Sequence, residues 1–330
     1  MGKSNLDLVK ECDRFPYYAD DPAFYTAHMR NYHAFRVNGC DANLGYILNS
    51  VVKKLELPAN SWAIDADNRT VTLMTDPDAT PEQRSELIAE TLAQAVKQDT
   101  FEILRGWRNE KYPVYAPGGK FLLEMERSAT PLFGVVSYGV HSTCYVNDDN
   151  GLRIWVPRRS KTKQTYPGML DNSVAGGMST DEHPGECLVR EAMEEASLPE
   201  DVVRKNSTAV GCVTYFYVRG AQAGGETDLL QPEVEYVYDI KLSADVVPKP
   251  CDSEVEQFYL MTVDEVKAAL ANGEFKPNCS VVLIDFFLRH GILTPENEPN
   301  FLDIISRIHR RLEFPTASHF EGTNASDSKQ

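Results

Sequence analysis

The sequence predicts a mixed α/β protein, with an α/β/α sandwich around a mixed sheet over residues 129–315 and a smaller mixed α/β domain ahead of it over residues 1–128. Three observations carry this. From residue 131 onward, short runs rich in Val, Tyr and Phe alternate with turn residues, which is the pattern of strands. One acidic helical segment interrupts them at 184–198, and further helical segments follow at 264–272 and 280–290. Strands on both sides of a central helix, with helices after them, place helical layers on both faces of one sheet.

The N-terminal elements follow in order. Residues 45–55 (GYILNSVVKKL) read as a helix, and Val71 and Leu73 alternate across 69–75 as in a strand. A helix is well signalled from Thr80: Thr80 as N-cap, Pro81 at the first helical position and Gln83 closing a capping box. Ile88, Leu92, Ala95 and Val96 then fall on one stripe that should be buried. The APGG at 116–119 marks a turn. Strands are expected at 133–146, 152–156, 170–175, 210–218 and 234–242, with turns at 147–151 and 220–225. Thr262 is the expected N-cap of the helix at 264–272, and the Ser/Asn/Asp-rich tail 316–330 reads as disordered.

The segment GGMSTDEHPGECLVREAMEEASL, residues 176–198, carries the chemistry. With 184–198 helical, Glu191, Glu194 and Glu195 fall within an arc of about 100°. Val189, Ala192, Met193 and Ala196 cluster opposite, as a core-facing stripe. Carboxylates crowded on one face repel one another, and a hard cation with oxygen ligands, Mg²⁺ or Mn²⁺, relieves that repulsion. Glu191 and Glu195, one turn apart, are the expected ligands, with Glu194 as a further ligand or the group polarising water, and Glu182 within reach from the preceding loop. Arg190 reads as the residue that pairs with Glu194 at i+4 and orients it. Which of Glu191, Glu194 and Glu195 acts as general base stays open at this point.

The segment resembles the Nudix box, G-x5-E-x7-R-E-U-x-E-E-x-G-U with U a bulky apolar residue. Gly176, Glu182, Arg190, Glu191, Glu194, Glu195 and Leu198 fill it. Ala192 is a small U, and Ser197 stands where the pattern has glycine. That position ends the helix, where a left-handed backbone costs a residue with a Cβ on the order of 1 kcal/mol. The resemblance implies a Nudix fold, a metal-dependent diphosphohydrolase, and a metal contact from the backbone carbonyl of Gly176. The stretches 131–146 and 154–177, with the N-terminal region, are similar to one Nudix subfamily, fused in some fungi to thiamine pyrophosphokinase. That similarity implies hydrolysis of oxy and oxo forms of thiamine diphosphate to the monophosphate. Two other readings compete with it. One is a hydrolase of nucleoside diphosphate conjugates such as ADP-ribose; the other is a non-catalytic Nudix-fold binding module, whose sign would be erosion of the metal glutamates.

Substrate-binding candidates flank the box. Arg158, Arg159, Lys161 and Lys163 offer phosphate donors, though Arg158 and Arg159 point to opposite faces of a strand, so at most one faces the site. Tyr166 and Asp171 are candidates for the pocket wall, and Trp107, Tyr215 and Tyr217 are further rings for stacking on a heterocycle. His141 and His183 belong to no metal pattern.

Composition bounds the partners. The 330 residues carry 33 basic and 49 acidic side chains, a net charge of −16, which argues against a nucleic-acid or anionic-membrane binder; the small diphosphate substrate that the resemblance implies has to be attracted by a local metal and a few basic residues. No apolar stretch of membrane-spanning length occurs, and the amino terminus MGKSNLDLVKECDRF has no apolar signal core. Seven scattered cysteines without a C-x-x-C pair read as reduced thiols, so the expected location is the cytoplasm.

Overall fold

The computed structural model describes residues 2–251 and 253–317, so most of the tail expected to be disordered lies outside the described residues. The N-terminal part runs through α1 (Asn5–Cys12), α2 (Pro22–Met29), β1 (Tyr32–Val37), β2 (Gly45–Leu48), α3 (Asn49–Lys54), β3 (Trp62–Asp65), β4 (Thr70–Leu73) and α4 (Pro81–Lys97). It ends in the hairpin β5 (Lys111–Ala116) and β6 (Lys120–Glu126) and the short α5 (Thr130–Phe133). A four-stranded sheet in the order β2-β1-β4-β3 pairs β1 with β4 in parallel and its other neighbours antiparallel. Phe35, Ile47, Val71, Leu73, Ile88 and Leu92 form its core with Leu123 and Phe133.

Two N-terminal expectations are corrected. Residues 45–55 are not one helix: β2 comes first and α3 follows from Asn49. A Cβ on Gly45 would fall 2.4 Å from the Phe133 carbonyl oxygen, and Tyr46 and Ile47 are both buried, so close sheet packing overrides the helical periodicity. The α4 stripe is narrower than its spacing suggests: Ile88, Leu92 and Ala95 are buried while Val96 is 43% exposed. The expected start of α4 holds, with Thr80 and Gln83 exchanging both bonds of a capping box.

The second part contains β7 (Ser137–Asp148), β8 (Gly151–Arg159), β9 (Val174–Gly177), α6 (Pro184–Ala196), α7 (Glu200–Asn206), β10 (Ser207–Val218), β11 (Leu230–Lys241), β12 (Val255–Thr262), α8 (Val263–Ala271), α9 (Pro277–Arg289) and α10 (Phe301–Ile308). The sheet order is β10-β11-β7-β8-β12, with β9 on the first half of β7. Only the β7–β11 pair among these is parallel, which makes the sheet mixed. Cys187, Leu188 and Ala192 of α6 join Val203 of α7 and Cys144 and Phe216 in the core on one face. On the other face Val266 of α8, Phe286 and Phe287 of α9 and Ile304 of α10 pack with Val156, Tyr215 and Val237. This is the α/β/α sandwich, and α1 joins its second layer through Leu8, Val9 and Cys12.

Three details differ from the sequence reading. Phe133 belongs to α5, which Gly134 ends at φ +60, so β7 begins only at Ser137. Regular pairing in the expected 170–175 strand starts at Val174, because Leu170 makes only single bridges and the side chains of Asp171 and Ser173 take backbone-bonding roles. Met193, placed on the buried stripe of α6, is 46% exposed.

Candidate active site

The signature helix α6 starts with Pro184 at its first turn and ends at Ser197, whose φ of +52 and ψ of +30 are left-handed. Leu198 N–H then bonds back to Ala192 carbonyl at 3.1 Å, closing the helix end. The residue in the glycine position thus adopts the conformation that position demands.

Antiparallel pairing of β9 with β7 sets the backbone of Ala175 and Gly176 against α6. Ala175 N–H donates to Glu195 Oε2 at 3.1 Å. A Cβ on Gly176 would fall 1.9 Å from Glu191 Oε1, so only glycine lets that carboxylate lie against the strand. Both glutamates are partly buried, whereas Glu194, on the outer side of the helix, is exposed. Arg190 sits among the acids. Its Nε and Nη2 donate to Glu182 at 2.7 and 3.1 Å, and its Nη1 donates to Glu191 at 2.7 Å and Glu194 at 3.3 Å. The i+4 pairing expected of Arg190 is present, and Glu182 and Glu191 are nearer partners.

The electrostatics of this corner suit a hard cation. Burial pushes the carboxyl of Glu195 up to about 8, with the Glu191 and Asp171 charges adding to it. Burial also raises Glu191, and Glu194 adds to that push while Arg190 opposes it. Carboxylates held against their preferred ionisation, beside the backbone of Gly176, form an all-oxygen donor set. Among the described residues no three acidic, Cys or His side chains already converge at ligating distance; Arg190 occupies Glu182, Glu191 and Glu194 instead.

Gly176 and Gly177 also line a cavity of about 270 Å³, which reaches inward between β7, β10 and β11 and is walled on one side by the N-terminal part. At its inner end Glu233 and Glu235, two apart on β11 and so on one face, share the Tyr215 hydroxyl, which donates to Glu235 Oε1 at 2.9 Å and to Glu233. His141 Nδ1 lies 2.7 Å from Asn172 Oδ1, and its Nε2 lies 3.5 Å from Glu235. Glu235 Oε2 is buried without a hydrogen-bond partner. Tyr166 and Tyr217 join hydroxyls at 2.6 Å on the adjoining wall.

The flanking candidates separate. Tyr166, Tyr215 and Tyr217 line the cavity; Trp107 does not. Arg158 donates to the Gly168 carbonyl and stacks over Tyr259, and Lys161 is exposed on its loop. Arg159 and Asp171 are buried and bonded to each other. None of these four lines the cavity, and Lys163 pairs with Glu254. The sequence reading missed Glu233, Glu235, Lys276, Tyr112 and Arg127, all of which line it. Two glutamates at i and i+2 around Val234 in β11 were the available signal; the N-terminal residues left none.

Comparisons with known proteins agree with this geometry. Residues 6–137 match the model of DUF4743, a domain of unknown function, and residues 138–279 match that of the NUDIX domain. The chain is 44% identical over 241 residues to the protein YJR142W of Saccharomyces cerevisiae, covering 71% of this chain and 70% of that one. It is 37% identical to Nudix hydrolase 20, chloroplastic, of Arabidopsis thaliana, over 70% of this chain. It is also 35% identical to Nudix hydrolase 24, chloroplastic, of the same plant, over 72% of this chain. Of those two plant proteins it spans 59% and 62% of the length. A DUF4743 domain thus stands ahead of a Nudix domain that keeps every charged position of its signature, and the chain is an enzyme of the pyrophosphohydrolase type, similar to the Nudix hydrolases.

Proposed function

We propose that this protein is a Mg²⁺- or Mn²⁺-dependent diphosphohydrolase that converts oxy and oxo forms of thiamine diphosphate to the monophosphate and phosphate. The observation that supports the chemistry is the packing of Glu191 and Glu195 against the backbone of Ala175 and Gly176 at the edge of the cavity. A bound divalent ion supplies charge neutralisation on the phosphoryl oxygens and acidifies water. Glu191, Glu195 and the Gly176 carbonyl would hold it, with Glu194 and Glu182 beside them on Arg190 as further oxygen donors. Arg190 fixes the orientation of these carboxylates through its fork of hydrogen bonds.

The substrate reading draws on the subfamily resemblance and on the cavity's inner end. Tyr166, Tyr215 and Tyr217 offer faces and hydroxyls to a heterocycle, and Lys276 offers a donor beside the Glu233–Glu235 acceptors. Replacing the pyrimidine amino group by a carbonyl exchanges a donor for an acceptor. A site that donates there favours the damaged form by roughly 1–3 kcal/mol, or about 5- to 150-fold. We place the reaction in the cytoplasm: all seven cysteines are free thiols, and no helix among the described residues is long and apolar enough to cross a membrane.

Phosphate release from oxythiamine diphosphate, thiamine diphosphate and ADP-ribose, each with Mg²⁺ and with Mn²⁺, tests the proposal. The expected order of kcat/KM puts oxythiamine diphosphate first. Equal values for the two thiamine compounds, or a preference for ADP-ribose, would overturn the substrate assignment, and no turnover of any would overturn the enzyme.

A further inference from the structure

The DUF4743 domain is built into the signature loop. Lys111 carbonyl on β5 accepts hydrogen bonds from Thr180 N–H at 2.9 Å and from the Thr180 hydroxyl at 3.3 Å, and the Ser179 hydroxyl donates to Glu110 at 3.4 Å. A Cβ on Gly177 would fall 1.5 Å from the Tyr112 hydroxyl and 3.4 Å from Arg127 Cζ. Gly177, which follows the first glycine of the box, is therefore the seat of an N-terminal aromatic ring and guanidinium. Arg127, which follows β6, stacks over Tyr112 at 5.4 Å and is held by Glu110 at 2.8 Å. It is partly exposed to the cavity, and its charge reaches Glu191.

A diphosphate held at Glu191 and Glu195 is strongly anionic, and a side-chain cation facing its oxygens adds to the neutralisation that bound ions supply. Of the other cations lining the cavity, Arg108 is exposed and its charge acts on Glu254. Arg219 is consumed by Gln231 and the Ala223 and Gly224 carbonyls, and the charge of Lys276 acts on Glu233 and Glu235 at the inner end. Arg158 and Arg159 are spent elsewhere. We infer that Arg127, supplied by the N-terminal domain, is a diphosphate-binding residue of the Nudix site, held ready over Gly177 by Glu110 and Tyr112. The inference rests on the diphosphohydrolase reading and gives the DUF4743 domain a part in it: it completes the anion site that the Nudix domain leaves open.

Calorimetric titration of the full chain with methylenediphosphonate in Mg²⁺, a diphosphate that cannot be hydrolysed, tests this without reference to any substrate. Arg127→Gln should weaken binding at least about 10-fold and Arg127→Lys less, because lysine keeps the charge and loses the fork. Lys120→Gln, which removes a positive charge from the same hairpin at an exposed residue outside the cavity lining, should bind as tightly as wild type. In turnover, Arg127→Gln should raise KM by a larger factor than it lowers kcat. Unchanged binding in Arg127→Gln, equal weakening in Lys120→Gln, or no binding to the wild-type protein would each overturn the inference. Tight, Arg127-dependent binding without turnover of any diphosphate would leave it standing and remove the hydrolase reading instead.

Discussion

Arg159 Nη1 donates to Asp171 Oδ2 at 2.5 Å, and the same guanidinium bonds the Tyr166 and Thr165 carbonyls, so a strand-end arginine ties down the loop that forms the cavity wall. Burial would push the Asp171 carboxyl up, but the charges of Arg159 and Lys276 outweigh it and hold it well below the usual carboxylate range. A depressed native value makes this contribution full above the unfolded value near pH 4 and lost as pH falls through the native one. Asp171→Asn leaves a buried guanidinium unpaired and should cost about 3–5 kcal/mol at pH 7. Urea midpoints at pH 7 and pH 3 check it: the gap between wild type and variant should narrow at the lower pH.

Glu191→Gln and Glu195→Gln should each cut turnover at least about 100-fold, since each removes a charged ligand from the ion that stabilises the transition state. The fold should survive, because removing one of two crowded carboxylates relieves repulsion. Activity should vanish in EDTA and return with Mg²⁺ or Mn²⁺. Steady-state rates with circular dichroism of the same samples settle both points, and near-wild-type turnover in either variant would remove the metal assignment.

The raised carboxyl of Glu195 gives the metal-free protein a pH signature. Its native value of about 8 lies above the unfolded one. Stability from the protonated form is therefore full below about pH 4.3 and is lost as pH rises toward 8. Thermal scans in chelator should show Tm falling between pH 5 and 8. Added Mg²⁺ should reverse the fall, because it binds the ionised, folded form. Glu195→Gln should flatten the slope.

What the sequence made legible was local. The signature helix, its carboxylate face and its left-handed end at Ser197 rest on contacts within a few residues, and their spacing expressed them. The same holds for the capping box at Thr80 and the N-cap at Thr262. What stayed hidden depends on partners far along the chain. Gly45 needs a strand because Phe133 and Gly134 press on it, Asp171 is claimed by Arg159, and Tyr112 fills the space above Gly177. Alternation in β11 marks Glu233 and Glu235 as neighbours on one face, but only tertiary packing puts Tyr215 between them.

Ser197→Gly tests the reading of the helix end. Relief of the left-handed backbone is worth on the order of 1 kcal/mol, and the greater freedom of an unfolded glycine takes back about 0.4–1 kcal/mol. The net change in stability should be under about 1 kcal/mol, with activity unaltered. A large loss of turnover would mean that Ser197 does more than end α6.

Gly176→Ala separates the strand's fit from its fold. The added Cβ would overlap the Glu191 carboxylate at 1.9 Å, and the side chain rather than the β9 ladder has to move. Glu191 also bonds Arg190 at 2.7 Å, so its displacement disturbs the orientation of Glu182 and Glu194 through the shared guanidinium. A misplaced ligand of this kind costs transition-state stabilisation far more than it costs packing. The variant should fold, lose up to about 3 kcal/mol of stability from the crowding, and fall at least about 10-fold in kcat. Gly185→Ala, where nothing lies within 4 Å of the new Cβ, is the matched control and should behave as wild type. Mg²⁺ titration followed by thermal shift should show weaker metal binding in Gly176→Ala alone. Wild-type metal affinity and kcat in that variant would show that Glu191 reaches its working position without the strand's bare glycine.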